Sequence, residues 1–101
     1  MSTLEPWTIA RSAQLYGLEH WGAGYFEIND RGHVAIAPDP AQPARFDLHE
    51  LVEAMRERDI EMPILFRFNG ILRHRVRAIH AAFRAAMAEY GYAGDYRPVY
   101  P

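Results

Sequence analysis

The side chains best suited by type to do chemistry in this sequence are five histidines and eleven arginines; lysine and cysteine do not occur. Without an ε-amine no lysine Schiff base can form. Without a thiol there is no disulfide, thiolate nucleophile or cysteine metal site. His49 and Glu53 stand four apart with Glu50 between them, a spacing that can bring two metal ligands to one helical face. No second histidine lies near them in the sequence, and the carboxylates suit helix capping and solvent. His74 and His80 are six apart, so on a helix they point to different faces, as surface residues. His20 and His33 flank Trp21-Gly22-Ala23-Gly24-Tyr25-Phe26. A lone histidine beside aromatic residues serves packing or hydrogen bonding more often than catalysis.

The arginines form two patterns. Arg73, Arg77, His80 and Arg84 recur at helical spacing as a cationic stripe, with no acid before Glu89. Like charges so placed cost an isolated helix a few tenths of a kcal/mol each. The stripe reads as a solvated face, or as a face that meets acidic residues of a partner segment. A phosphate-binding role ranks third, because phosphate cradles usually use backbone amides at a helix start. Arg67 lies between Phe66 and Phe68 in what reads as a buried strand. A buried guanidinium needs a carboxylate or carbonyls, here Glu61, Asp59 or a distant acid. At the solvent edge of a sheet it would need none. Trp21-Gly22-Ala23-Gly24 lacks the strand-loop-helix context of a dinucleotide fingerprint, and no Ser-His-Asp set assembles. No catalytic, cofactor-binding or metal-binding residue is assigned.

The elements that would position these groups follow from periodicity. Ile9, Ala13 and Tyr16 predict a short helix over 8–16 that stops at Gly17. Phe26 and Ile28 alternate with Tyr25 and Glu27, Val34 and Ile36 alternate again, and Asn29-Asp30-Arg31-Gly32 has turn chemistry; together they predict an antiparallel hairpin. Pro38, Pro40 and Pro43 punctuate a loop. Asp47 as N-cap and Glu50 three residues on resemble a capping box. Leu48, Leu51, Val52 and Met55 then form the apolar face of a helix ending near Arg58 or Asp59. Pro63 opens an expected strand, Ile64-Leu65-Phe66-Arg67-Phe68. The longest helix is expected from about Asn69 to Tyr90, with Leu72, Val76, Ile79, Phe83, Met87 and Tyr90 on one side and Gly91 as its stop. A partial strand over 96–101 ends the sequence. The fold class is α+β, an N-terminal hairpin followed by an αβαβ segment suggestive of a parallel α/β structure.

Composition bounds the rest. The 101 residues make one small domain, half hydrophobic and 13% aromatic, too apolar for disorder. A net charge of -2 does not suggest a nucleic-acid or membrane binder. The N-terminus lacks the basic and apolar regions of a signal peptide, and no window approaches the ~20 apolar residues of a membrane span. The expectation is a soluble cytoplasmic protein.

Taken in order, Arg11-Ser12-Ala13-Gln14-Leu15-Tyr16-Gly17, Trp21-Gly22-Ala23-Gly24-Tyr25-Phe26-Glu27-Ile28-Asn29, Gly32-His33-Val34, Asp47-Leu48, Pro63-Ile64-Leu65-Phe66-Arg67-Phe68 and Tyr100-Pro101 resemble the opening stretch of biosynthetic arginine decarboxylases. The likeness covers nearly the whole chain with compatible spacing. It implies kinship with enzymes that convert L-arginine to agmatine and carbon dioxide with pyridoxal phosphate, magnesium also being associated. It further implies a fold of an alanine-racemase-like α/β barrel joined to a β-domain. Residues 1–46 would then go with the β-domain, and 47–101 would begin the barrel. The family's tyrosine-proline-isoleucine-lysine stretch is matched only through its proline, so no catalytic residue carries over. The expectation is a truncated segment, inactive alone, whose partners are the rest of a decarboxylase chain or copies of itself, as a homo-oligomer. The alternative is a non-catalytic interaction or self-association module derived from that enzyme.

Overall fold

The computed structural model describes residues 4–99, and these divide after Arg67 into two compact units. In the first, Thr8 caps helix α1 (Ile9–Leu15), its side chain accepting a hydrogen bond from the Arg11 amide at 3.1 Å. A one-turn helix α2 (Leu18–Trp21), absent from the sequence-based expectation, follows at once. Its end explains part of the glycine-aromatic passage. A Cβ on Gly22 would lie 2.5 Å from the Leu18 carbonyl oxygen and 3.2 Å from that of Phe26, so no larger residue fits without a shift.

The expected hairpin is present. Strands β1 (Phe26–Ile28) and β2 (Val34–Ile36) pair antiparallel in the register Phe26↔Ile36, Glu27↔Ala35, Ile28↔Val34. The turn is closed by the Asn29 amide on the His33 carbonyl at 2.8 Å and the Gly32 amide on that of Asn29 at 2.9 Å. A two-residue strand β3 (Phe46–Asp47) pairs antiparallel with β2 and makes a three-stranded sheet of order β1-β2-β3. Two residues are too few for an alternation pattern to reveal. The core lies at this sheet: Leu18, Tyr25, Ala35, Ile36 and Ala37 are buried, Ile36 completely.

Helix α3 (Leu48–Glu57) starts where the capping chemistry places it, with Asp47 Oδ1 accepting from the Glu50 amide at 3.0 Å. Its expected apolar face, Leu48, Leu51, Val52 and Met55, is half-buried, and the helix packs on β2 and β3.

The expected strand over 64–68 is not formed, and the structure corrects that reading. Alternating apolar residues make a strand only where a neighbouring strand takes up the backbone N–H and C=O groups. Among the described residues the sheet ends at β3, and Leu65 stands 80% exposed. Residues 96–99 likewise carry no strand, and Tyr100-Pro101 lie outside the described residues. The parallel α/β element of the expectation is therefore replaced by a small α+β arrangement with an antiparallel sheet.

The second unit is built on helix α4 (Asn69–Glu89), as expected. It closes with a Schellman motif: the Tyr92 amide reaches the Met87 carbonyl at 2.9 Å and the Gly91 amide that of Ala88 at 3.4 Å. Gly91 holds φ +64°, a left-handed conformation that disfavours any side chain. Tyr96 folds back on the helix, stacking on Phe83 at 4.6 Å and meeting the edge of His80 at 5.3 Å.

Candidate functional site

The densest polar cluster of the first unit joins the hairpin turn to the start of α3. Asn29, kept in the turn by its own side-chain chemistry, accepts on Oδ1 from the backbone amides of Arg31 (3.1 Å) and His33 (3.0 Å). Its amide nitrogen donates to Asp47 Oδ2 at 2.7 Å. Arg31 donates from Nη2 to the same Asp47 oxygen at 2.7 Å and also to Glu50 Oε1. His33 Nδ1 lies 2.9 Å from Asp47 Oδ2. An ionised carboxylate only accepts, so the ring carries its proton on Nδ1 and presents Nε2 outward.

Asp47 is the centre of this cluster, with its side chain only 9% exposed. Burial alone pushes its carboxyl pKa up. The hydrogen bonds from Arg31, the Glu50 amide, His33 and Asn29 outweigh that and hold it well below the usual carboxylate range. The bond to Asp47, and then the contacts with Glu50, raise Arg31 in turn. A carboxylate so saturated with donors is a poor general base. Its chemistry is positional: it caps α3, ties the turn to the helix and fixes the His33 tautomer.

The structure distributes the other sequence-marked residues differently. His49, read as lacking a second histidine, has one: the His33 and His49 rings stand 4.6 Å apart, tilted by 42°. Glu50 is engaged by Arg31, and Glu53 pairs with Arg56 at 3.4 Å, rather than joining His49 as ligands. Among the described residues no three His, Cys, Asp or Glu side chains converge as a metal cage. His20 is exposed and borders a hollow lined by Ala10, Ala13, Gln14, Gly17 and Glu19. His74 and His80 are half-buried rather than surface residues, His80 because Tyr96 covers it. Arg67 is exposed, which corrects the buried-strand reading; at that position its charge stays hydrated. Arg73, Arg77 and Arg84 are exposed on α4.

Sequence reasoning missed the cluster as a unit. Asp47 was legible as a cap and Asn29 as a turn residue. Their 18-residue separation carried no signal that they meet.

No protein-family profile matches the chain. Individual proteins do. It is 50% identical over 95 residues to "Biosynthetic arginine decarboxylase" of Synechococcus sp., 48% over 95 residues to the protein of that name in Prochlorococcus marinus, and 44% over 95 residues to that of Pseudomonas putida. Each alignment covers 94% of this chain and 15% of the relative. The chain thus spans about 15% of the length of the curated relatives it matches, a short N-terminal portion. The resemblance read from residues 11–29 and 63–68 is therefore a true kinship of sequence.

Proposed function

We propose that this chain acts as an N-terminal portion of an arginine decarboxylase, contributing scaffold rather than catalytic groups to the conversion of L-arginine to agmatine and carbon dioxide at the entry to polyamine synthesis. The observation that carries this reading is the identity of 41–50% to proteins of that name over 94% of the chain. Under it, residues 1–46 accompany a β-domain and 47–101 begin an α/β barrel. The partner is the rest of the enzyme, in a cytoplasmic homo-oligomer. No helix among the described residues is long and apolar enough to cross a membrane.

The donor set here does not fit pyridoxal phosphate unaided. The chain has no lysine to condense with the cofactor aldehyde. Among the described residues no three carboxylates converge as an oxygen cage for magnesium, and Asp47, Glu50 and Glu53 already accept from Arg31 and Arg56. What its own residues do is organise backbone: Asp47 and Arg31 lock a hairpin to a helix, and α4 presents an apolar stripe.

Two assays test the proposal. The purified chain is expected to show no lysine-aldimine absorbance with pyridoxal phosphate alone and to release no carbon dioxide once L-arginine is added; turnover would overturn the scaffold role. Substituted for the matching portion of the Synechococcus relative, it is expected to leave a decarboxylase that turns over. A folded but inactive chimera would count against the parentage.

A second reading, a self-association module, draws on the exposure of Leu72, Val76, Ile79 and Phe83 along α4. It expects concentration-dependent oligomers of the isolated chain by light scattering, and a monodisperse monomer would remove it.

A further inference from the structure

We infer that His33 and His49 form an open two-histidine site for a borderline divalent transition ion such as Zn²⁺, Ni²⁺ or Cu²⁺. The inference stands apart from the decarboxylase reading, because it uses only the first unit. Four observations carry it.

The two imidazoles come from different elements, one from the mouth of β2 and one from the first turn of α3, yet their centroids are 4.6 Å apart. The 42° tilt keeps them from stacking flat, and His49 is exposed, so its ring has room to turn a nitrogen toward its neighbour. Asp47 already orders His33. Holding the proton on Nδ1 leaves the Nε2 lone pair pointing away, and an imidazole backed by a carboxylate is the usual way a histidine ligand is oriented and made more basic. The rings border a hollow of about 240 Å³ whose other walls are Val34, Leu48 and Val52. Finally, the surrounding charge tolerates a dication. From the turn come Arg31 and Asp30, from β3 Asp47, and from α3 Glu50, leaving two net negative charges; Glu53 and Arg56 on α3 cancel each other.

Only two protein ligands are present, so water completes the coordination sphere. Imidazole nitrogen suits zinc, nickel and copper, whereas magnesium requires oxygen ligands in octahedral array. That preference separates this site from any magnesium associated with the relatives. The competing account is a ring contact that merely closes the hairpin on α3.

Calorimetric titration of the untagged chain with zinc chloride near neutral pH, paired with NMR of the histidine ring protons, decides between the two. One zinc equivalent is expected, with the His33 and His49 resonances shifting together and reverting with a chelator. His49→Gln, an exposed substitution outside the Asp47 cluster, is expected to abolish stoichiometric binding while the circular dichroism stays unchanged. Asp47→Asn should weaken binding by about ten- to hundredfold, the range for loss of a ligand-orienting partner. His20→Gln should leave binding intact, and magnesium should move neither resonance. Zinc binding that survives His49→Gln, an equal response to magnesium, or no binding by the parent chain would each overturn the site.

Discussion

Helices α3 and α4 carry the same kind of apolar stripe, and only one of them is covered within its own unit. On α3, Leu48, Leu51, Val52 and Met55 are half-buried against β2 and β3. On α4, Leu72 is 62% and Ile79 43% exposed, with Tyr96 the side chain seen folded onto the stripe. The difference does not lie in helix propensity, since both form where their periodicity predicts. It lies in what precedes each helix. Asp47 caps α3 and is bonded to the hairpin through Asn29, Arg31 and His33, so the helix leaves the sheet in one fixed direction. Phe68 caps α4 with no side-chain hydrogen bond. Periodicity makes a helix, and a tethered cap makes it part of a core.

The sharpest way to break this contrast is to empty the core. Ile36→Ala removes a fully buried side chain and is expected to cost about 2–5 kcal/mol. Ile79→Ala on the uncovered stripe should cost under about 1 kcal/mol. Urea denaturation followed by tryptophan fluorescence reads the Ile36 variant, because Trp7 and Trp21 both lie in the first unit, and the same titration followed by helical circular dichroism reads the Ile79 variant on α4. Similar losses for the two variants would mean that α4 is as well packed as the sheet.

A smaller effect is expected from Asp47→Asn, and it should depend on pH. Asp47 titrates lower in the folded protein than its ordinary value of 3.8. The stability contributed by its ionised form is therefore complete above that value and is lost as pH falls below it. The substitution should lower the denaturation midpoint of the first unit near neutrality and flatten its acid limb, so that the two proteins converge at low pH. A pH-independent gap would show that the charge is not what ties the turn to α3.

The smallest effect should come from Gly91→Ala. Forcing a side chain into the left-handed φ of +64° costs about 1–2 kcal/mol locally. With little tertiary packing to transmit it, the result should be fraying of the last turn of α4, read as a modest loss of helical circular dichroism. The tryptophan transition should stay unmoved.

The local elements were legible because their signals are local. Thr8 and Asp47 as caps, Gly91 as a stop, the turn chemistry of Asn29 to Gly32 and the period of the apolar residues each act within a few positions. The failures share a cause as well. Residues 64–68 have a strand's alternation but find no strand to pair with among the described residues. β3 has a pairing but, at two residues, no pattern. Arg67 sits in an expected strand that does not form, so the sequence leaves it between a paired interior position and a solvent edge, and His80 reads as exposed because Tyr96 is sixteen residues away.

By itself the sequence determined helices α1, α3 and α4, the hairpin, the absence of a lysine for a Schiff base and the kinship with arginine decarboxylases. These rest on covalent identity and on interactions within a turn or two of the chain. Only the tertiary structure decided that Asn29, Arg31, His33, Asp47 and Glu50 form one cluster, and that His33 stands beside His49. Strand pairing brings Ala35 opposite Asp47, and with it two segments that the chain separates by a proline-punctuated loop. That register is set by burying Ile36, a free energy of the folded whole that no window of residues contains.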